Sequence, residues 1–312
     1  MNREPCIKAE PYRCELIPRL KFGGGRLDGS KTITLNHQPV TSAFFQQSSF
    51  ATHAITLERA AVPVSADTAP EMLAALPCGI QTGAGAILIT FKAGAGDSLV
   101  VFGAGTVGLS AVMAARLSGV APIIAVDVVQ SRLELALELG ATHILNAGEG
   151  DVPARVKAIA PRGVRFAFES SATVQALENA IECLGQGGRA GIVSSPDGGR
   201  PFPFSPQGLF IRTASLQGII QGSAIPRLFI PQLMELQRQG RFPYEKLTYV
   251  VLKRSKRQSS RNFRNISSMR WRFRTRSIVF RNWKALCPCQ NQRKYREESE
   301  GGAERTTIGE EV

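Results

Sequence analysis

From Asp97 to Ile220 the chain alternates short apolar runs with amphipathic stretches, a pattern that predicts parallel strands separated by helices. Ser98–Phe102 reads as a strand buried on both faces. A helix rich in Ala, Val and Met follows from Leu109 to Leu117. Ile123–Val126 predicts a second strand ending in Asp127, and Gln130–Leu139 a helix closed by Gly140 as its C-cap. Ile144-Leu145 is a third strand and Val164–Phe168 a fourth, with a helix from Val174 to Leu184 behind it. Gly187-Gly188 is read as a turn into the strand Arg189–Val193, and Ala214–Ile220 closes the series. Six strands with intervening helices is the count of a doubly wound nucleotide-binding sheet, so the predicted class is α/β.

Either side of this block the pattern changes. Residues 31–64 carry short alternating segments and predict a β-rich region. Leu228, Phe229, Leu233, Met234 and Leu236 lie at helical spacing between Pro226 and Gln239, and the helix stops at Gly240. Beyond Val251 no periodicity survives, and no repeat of solenoid period is present anywhere.

Of the 312 residues, 43% are hydrophobic and 20% charged, a profile that excludes a disordered or collagen-like chain. No window holds eighteen uninterrupted apolar residues, and the N-terminus lacks the apolar core of a signal peptide. Six scattered cysteines do not form a disulfide framework. The expectation is therefore a cytoplasmic protein with no membrane partner. The net charge of +13 is unevenly spread. Residues 1–250 carry 22 Lys+Arg and 19 Asp+Glu (22 − 19 = +3), whereas residues 251–312 carry 16 and 6 (16 − 6 = +10).

Gly103-x-Gly105-x-x-Gly108 follows a predicted strand and opens a predicted helix, and Asp127 ends the next strand nineteen residues later. That context turns a weak motif into a Rossmann dinucleotide fingerprint. Gly103 allows the tight turn, Gly105 lets the backbone approach a pyrophosphate, and Gly108 lets helix pack on strand. Ala104, Thr106 and Val107 complete the loop, whose free N–H groups face the phosphates. Asp127 is placed to accept the ribose hydroxyls and to repel a 2′-phosphate, which favours NAD over NADP. Arg132 either reaches toward the ribose or is a solvated helix residue.

Five strings together resemble the zinc-dependent medium-chain dehydrogenase/reductase superfamily, in its aryl- or benzyl-alcohol dehydrogenase-like branch. They are Arg26-Leu27-Asp28-Gly29-Ser30, the run Phe44–Thr52, Pro77-Cys78-Gly79-Ile80-Gln81-Thr82-Gly83-Ala84-Gly85, Val101–Gly105 and Ile124–Asp127. The likeness runs from Cys6 to Tyr249. It implies NAD-dependent interconversion of an alcohol, aromatic or bulky and apolar, with its aldehyde or ketone. It also implies a catalytic zinc held by two Cys and one His, with an open position for the substrate oxygen. Cys78 matches the later of the two cysteine ligands, and Thr82 the position that packs against the nicotinamide. The last strand of the cofactor domain, here Leu216–Ile220, is where such proteins join as homodimers.

The same resemblance marks departures. Cys6 and Cys14 match two of the four structural-zinc cysteines, while Arg3 stands where another belongs. The first catalytic Cys and its Gly-His-Glu segment have no counterpart after Met1, and His37, His53 and His143, none followed by Glu, read as ordinary residues. Glu169-Ser170-Ser171-Ala172 replaces the Asp-x-x-Gly of many relatives and is expected to loosen the packing near the cofactor.

The division that follows is 1–80, a remnant of the β-rich GroES-like catalytic domain; 81–222, an NAD-binding Rossmann domain; 223–252, a return helix and strand; and 253–312, a basic tail. The expectation is an N-terminally truncated oxidoreductase with an incomplete zinc site, the alternative a catalytically inactive NAD-binding remnant. In the tail, residues 253–296 hold fifteen Lys+Arg and no acid. Arg270-Trp271-Arg272-Phe273-Arg274 could grip phosphates and stack bases. A shifted reading frame or misassigned exon boundary explains the abrupt change in composition, and that reading is preferred to a nucleic-acid partner.

Overall fold

The structure, a computed structural model, describes residues 4–247 except Leu27, Thr32, 42–59, 66–67 and 196–205. The run Phe44–Thr52, His53 and the basic tail lie outside the described residues. Those described fall into two compact units, 4–41 and 60–247.

In the first unit, short helices at Glu4–Ile7 and Ile17–Phe22 precede a hairpin of β1 (Ile33–Leu35) and β2 (Gln38–Val40), with Ile33 opposite Val40. Asn36 and His37 form its two-residue loop at φ 49° and 61°. Two successive left-handed residues give the turn whose twist suits a two-residue hairpin, so His37 is a turn residue.

The second unit is built on a six-stranded, wholly parallel sheet. Its strands are β3 (Leu99–Phe102), β4 (Ile123–Asp127), β5 (His143–Asn146), β6 (Val164–Glu169), β7 (Leu184–Ile192) and β8 (Ser215–Gly218), in the order β5-β4-β3-β6-β7-β8. The doubly wound sheet expected from the sequence is present. Alternate residues feed two cores. Leu99, Val101, Ile123, Ala125, Phe166 and Phe168 pack with the helices Thr106–Leu117 and Pro226–Arg238. Val100, Phe102, Ile124, Val126, Val164 and Ala167 pack toward the helices Val152–Ile159 and Val174–Glu182. Burial on both faces is why β3 and β4 read as unbroken apolar runs.

Several boundaries differ from the sequence expectation. The first helix starts at Thr106, not Leu109, because Gly105 is its N-cap (φ −86°, ψ −171°). The helix after β6 ends at Glu182, and Leu184 already belongs to β7. Gly187-Gly188 is not a turn before a strand but a bulge within one. Val164 pairs with Leu184 and Phe166 with Arg189, so the extra residues are absorbed where Gly187 adopts φ +65°. The last strand is the shorter Ser215–Gly218, within the expected Ala214–Ile220. The helix Val152–Ile159 went unread although it carries its own start signal: the Asp151 carboxylate accepts the Ala154 amide at 3.1 Å, with Pro153 in the first turn.

A helical segment, Pro70–Phe91, precedes the sheet and contains π-helical stretches at Leu76–Ile80 and Ala86–Phe91. By length and composition it could cross a membrane. Its apolarity has another cause here: Leu76, Ile80, Ala84, Ile87 and Phe91 are buried in the core. Phe91 stacks on Phe166 with ring centroids 4.7 Å apart, and Arg189 lies over Phe91 while donating to Thr90 O and Gln217 Oε1.

Candidate functional site

The sheet order reverses between β3 and β6, and ligands of open α/β sheets bind in the crevice at the carboxyl ends of the strands flanking such a point. Gly103–Gly108 lies at that point, and its three glycines sit in different surroundings. Gly103 has φ +92°. A Cβ on Gly108 would stand 1.8 Å from Gly103 O, so only hydrogen lets the helix close on the turn. A Cβ on Gly105 would meet nothing within 4 Å. The backbone there faces open space, and no side chain caps the helix that begins at Thr106. These features fit a dinucleotide, with the amides of Thr106 and Val107 free to meet its phosphates.

Asp127, at the end of β4, is buried. Its Oδ2 accepts the Ala104 amide at 2.7 Å and its Oδ1 the Val129 amide at 2.9 Å, so it ties the glycine loop to the end of β4. Arg132 Nη1 stands 3.5 Å from Oδ2, so this partly buried guanidinium pairs with the Asp127 carboxylate.

Glu169 ends β6, level with Phe102 of β3, and is fully buried. Burial raises its carboxyl pKa, against hydrogen bonds from Ser171 and Ala172 that act the other way. The expected loosening is absent: Oε1 accepts the Ser171 amide and hydroxyl, both at 2.6 Å, and the Ala172 amide at 2.9 Å.

Cys78 and Thr82 are brought to the same crevice by helix packing. A Cβ on Gly83 would stand 2.0 Å from Val107 O, and one on Gly79 2.9 Å from Thr106 Cγ2. Two glycines thus let the Cys78–Thr82 turn cross the start of the helix Thr106–Leu117. Cys78 is exposed with a free thiol, and Thr82 is buried. Sequence reasoning missed two residues behind them. Gly222 (φ +66°) leaves no room for a Cβ, which would stand 2.5 Å from Gln81 O and 2.9 Å from Thr82 O. Gln81 is fully buried, donates to Pro77 O at 2.6 Å, and its Oε1 has no partner among the described residues. A polar residue inside an apolar helical run was the available signal.

Cys6 lies in the helix Glu4–Ile7, and Cys14 follows the turn Pro11–Arg13 as a half-buried free thiol. Burial pushes the Cys183 thiol up to about 12, so it stays protonated in the core. Among the described residues no three His, Cys, Asp or Glu side chains gather as a metal site. Cys78 alone does not make the donor set of a catalytic zinc.

A family model for zinc-binding dehydrogenases matches residues 106–237. Geraniol dehydrogenase of Castellaniella defragrans is 39% identical over 244 residues, which cover 78% of this chain and 65% of that protein. A probable alcohol dehydrogenase of a Pseudomonas species is 34% identical, with 70% of each chain covered. The crystal structure of benzyl alcohol dehydrogenase from Acinetobacter calcoaceticus superposes with a TM-score of 0.74 at 37% identity, covering 84% of this chain and 72% of that one. The chain spans about two thirds of the length of the curated relatives it matches.

Proposed function

The chain belongs to the zinc-binding alcohol dehydrogenase family, and on that premise we propose that it binds NAD in the β3/β6 crevice for the interconversion of an alcohol with its aldehyde or ketone. The observation that carries this reading is the glycine loop: Gly103 turned, Gly105 open, Gly108 closed on the turn, with Asp127 bonded to Ala104 beneath it. Bound there, the nicotinamide serves as hydride acceptor. The chain's own residues hold the pyrophosphate on backbone amides, select a ribose without a 2′-phosphate through Asp127, and back the nicotinamide position with Thr82. The relatives named for benzyl alcohol and geraniol support an aromatic or bulky apolar substrate.

A second reading, NAD binding without zinc-dependent turnover, is favoured by the single family-matched donor, Cys78, among the described residues. β8 forms an outer edge of the sheet with Ile220 exposed beyond it, which supports pairing of two copies through that strand.

One experiment tests both readings: calorimetry of NAD and NADP on the 312-residue chain, with metal analysis and an assay on benzyl alcohol. NAD binding that Asp127→Ala weakens is the expected result, and no NAD binding by the unaltered chain overturns the proposal. Stoichiometric zinc with turnover supports the dehydrogenase reading; NAD bound with zinc near zero supports the second.

A further inference from the structure

We propose that Glu169 is a positioning residue for the phosphate-binding loop: its carboxyl group fixes the turn Ser170–Ala172, and that turn holds Gly103 in the shape a dinucleotide needs. The inference rests on the NAD reading for its ligand and on the hydrogen-bond pattern for its geometry.

Glu169 is the one ionisable residue on the sheet-facing run Phe166–Glu169, whose other members are buried apolar side chains. A carboxyl group is costly to bury unless it is hydrogen-bonded. Here a single oxygen, Oε1, collects three donors from two residues, the Ser171 amide and hydroxyl and the Ala172 amide. They brace a turn in which Ala172 sits at φ +60°, a conformation costly for a residue other than glycine. The network continues outward. Ser171 Oγ lies 3.2 Å from Thr173 Oγ1, which accepts the Ala176 amide and so caps the helix Val174–Glu182.

Ser170, inside the turn so fixed, reaches the other way. Its amide donates to Phe102 O at 2.9 Å, and its hydroxyl lies 3.0 Å from Phe102 O and 3.1 Å from Gly103 O. The backbone of the turn also fills the space beside Gly103, where a Cβ would meet Ser171 N at 2.9 Å. The path from Glu169 to the loop is therefore contiguous: carboxyl oxygen, Ser171 and Ala172, Ser170, Gly103. The second oxygen, Oε2, is buried with no partner among the described residues, so Oε1 makes the carboxyl group's contacts there.

The test combines amide hydrogen exchange on the cofactor-free chain with NAD calorimetry, for the unaltered protein, Glu169→Ala, Glu169→Gln, Ser170→Ala and the double variant Glu169→Ala/Ser170→Ala. In Glu169→Ala the amides of Gly103, bonded to Val126 O, and Ala104, bonded to Asp127 Oδ2, are expected to exchange at least about tenfold faster. The NAD Kd should rise about tenfold. The Ile123 amide, bonded to Thr142 Oγ1 in the same sheet, should keep its rate. Glu169→Gln, whose amide oxygen can accept the same three bonds, should restore both readouts. The double variant should be no weaker for NAD than the worse single one, because both act through one turn. If Glu169→Ala fails to fold, Ser170→Ala carries the test, since it removes only the hydroxyl. Unchanged exchange at Gly103 and Ala104 in folded Glu169→Ala, or in Ser170→Ala should Glu169→Ala not fold, overturns the proposal, as does acceleration shared equally by Ile123. Failure of the unaltered chain to bind NAD overturns the cofactor reading instead, and the exchange rates still decide the role of Glu169.

Discussion

At the carboxyl ends of β3 and β4, the groups proposed to meet the pyrophosphate and the adenosine ribose come from one continuous stretch, residues 103–132. Most of these groups are backbone amides whose directions follow from three glycines and a helix start. The turn bearing Cys78 lies against the same helix, yet its one family-matched ligand would need partners from elsewhere in the chain, and none gathers around it among the described residues. A phosphate cradle can be written locally because a helix N-terminus supplies its own donors. A zinc site cannot, because tetrahedral coordination draws side chains from separate segments and is complete only when all of them arrive.

The largest way to break this contrast is Gly108→Ala. The added Cβ would lie 1.8 Å from Gly103 O, so the loop must move. Thermal unfolding should show a loss of about 1–3 kcal/mol, and calorimetry a fall in NAD affinity of about 100-fold, since each 1.4 kcal/mol is about tenfold. Asp127→Ala comes next. It leaves the Ala104 and Val129 amides without their acceptor and removes the ribose partner. We expect a loss of about 2 kcal/mol in NAD binding, roughly 30-fold, and a narrower preference over NADP.

A smaller effect comes from pH. Burial raises the Glu169 carboxyl pKa in the folded chain, so the folded state keeps its proton to higher pH than the unfolded state does. The stability this contributes is fully present below the ordinary carboxyl pKa and is lost as pH rises through the raised one. The melting temperature of the unaltered protein should therefore fall relative to Glu169→Gln as pH increases across that window. Matched slopes for the two proteins would remove the carboxyl from the account. The smallest effect should come from Cys78→Ser, which touches the metal position alone. NAD affinity should stay within about twofold, the behaviour of an exposed side chain away from the cradle. A large loss there would mean that the two regions are coupled.

Much of this was legible in the residues. The runs Leu99–Phe102 and Ile123–Asp127 announce strands because both their faces are buried, and the spacing from Gly103 to Asp127 announces the loop because its chemistry is local. Boundaries slipped where backbone freedom set them: the bulge at Gly187 hid the first half of β7, and Gly105 as N-cap moved the helix start to Thr106. The role of Glu169 could not be read from its neighbours in sequence. Which of its oxygens is bonded, and that its turn reaches Gly103, depends on β3 and β6 lying side by side although they are sixty residues apart in the chain. The crossing at Gly79 and Gly83, which carries Cys78 and Thr82 to the loop, has the same origin. Sequence alone thus determined the sheet and the glycine loop, since periodicity and glycine spacing act over a few residues. Tertiary structure decided which distant side chains lie against the loop, because burial and proximity are properties of packed elements.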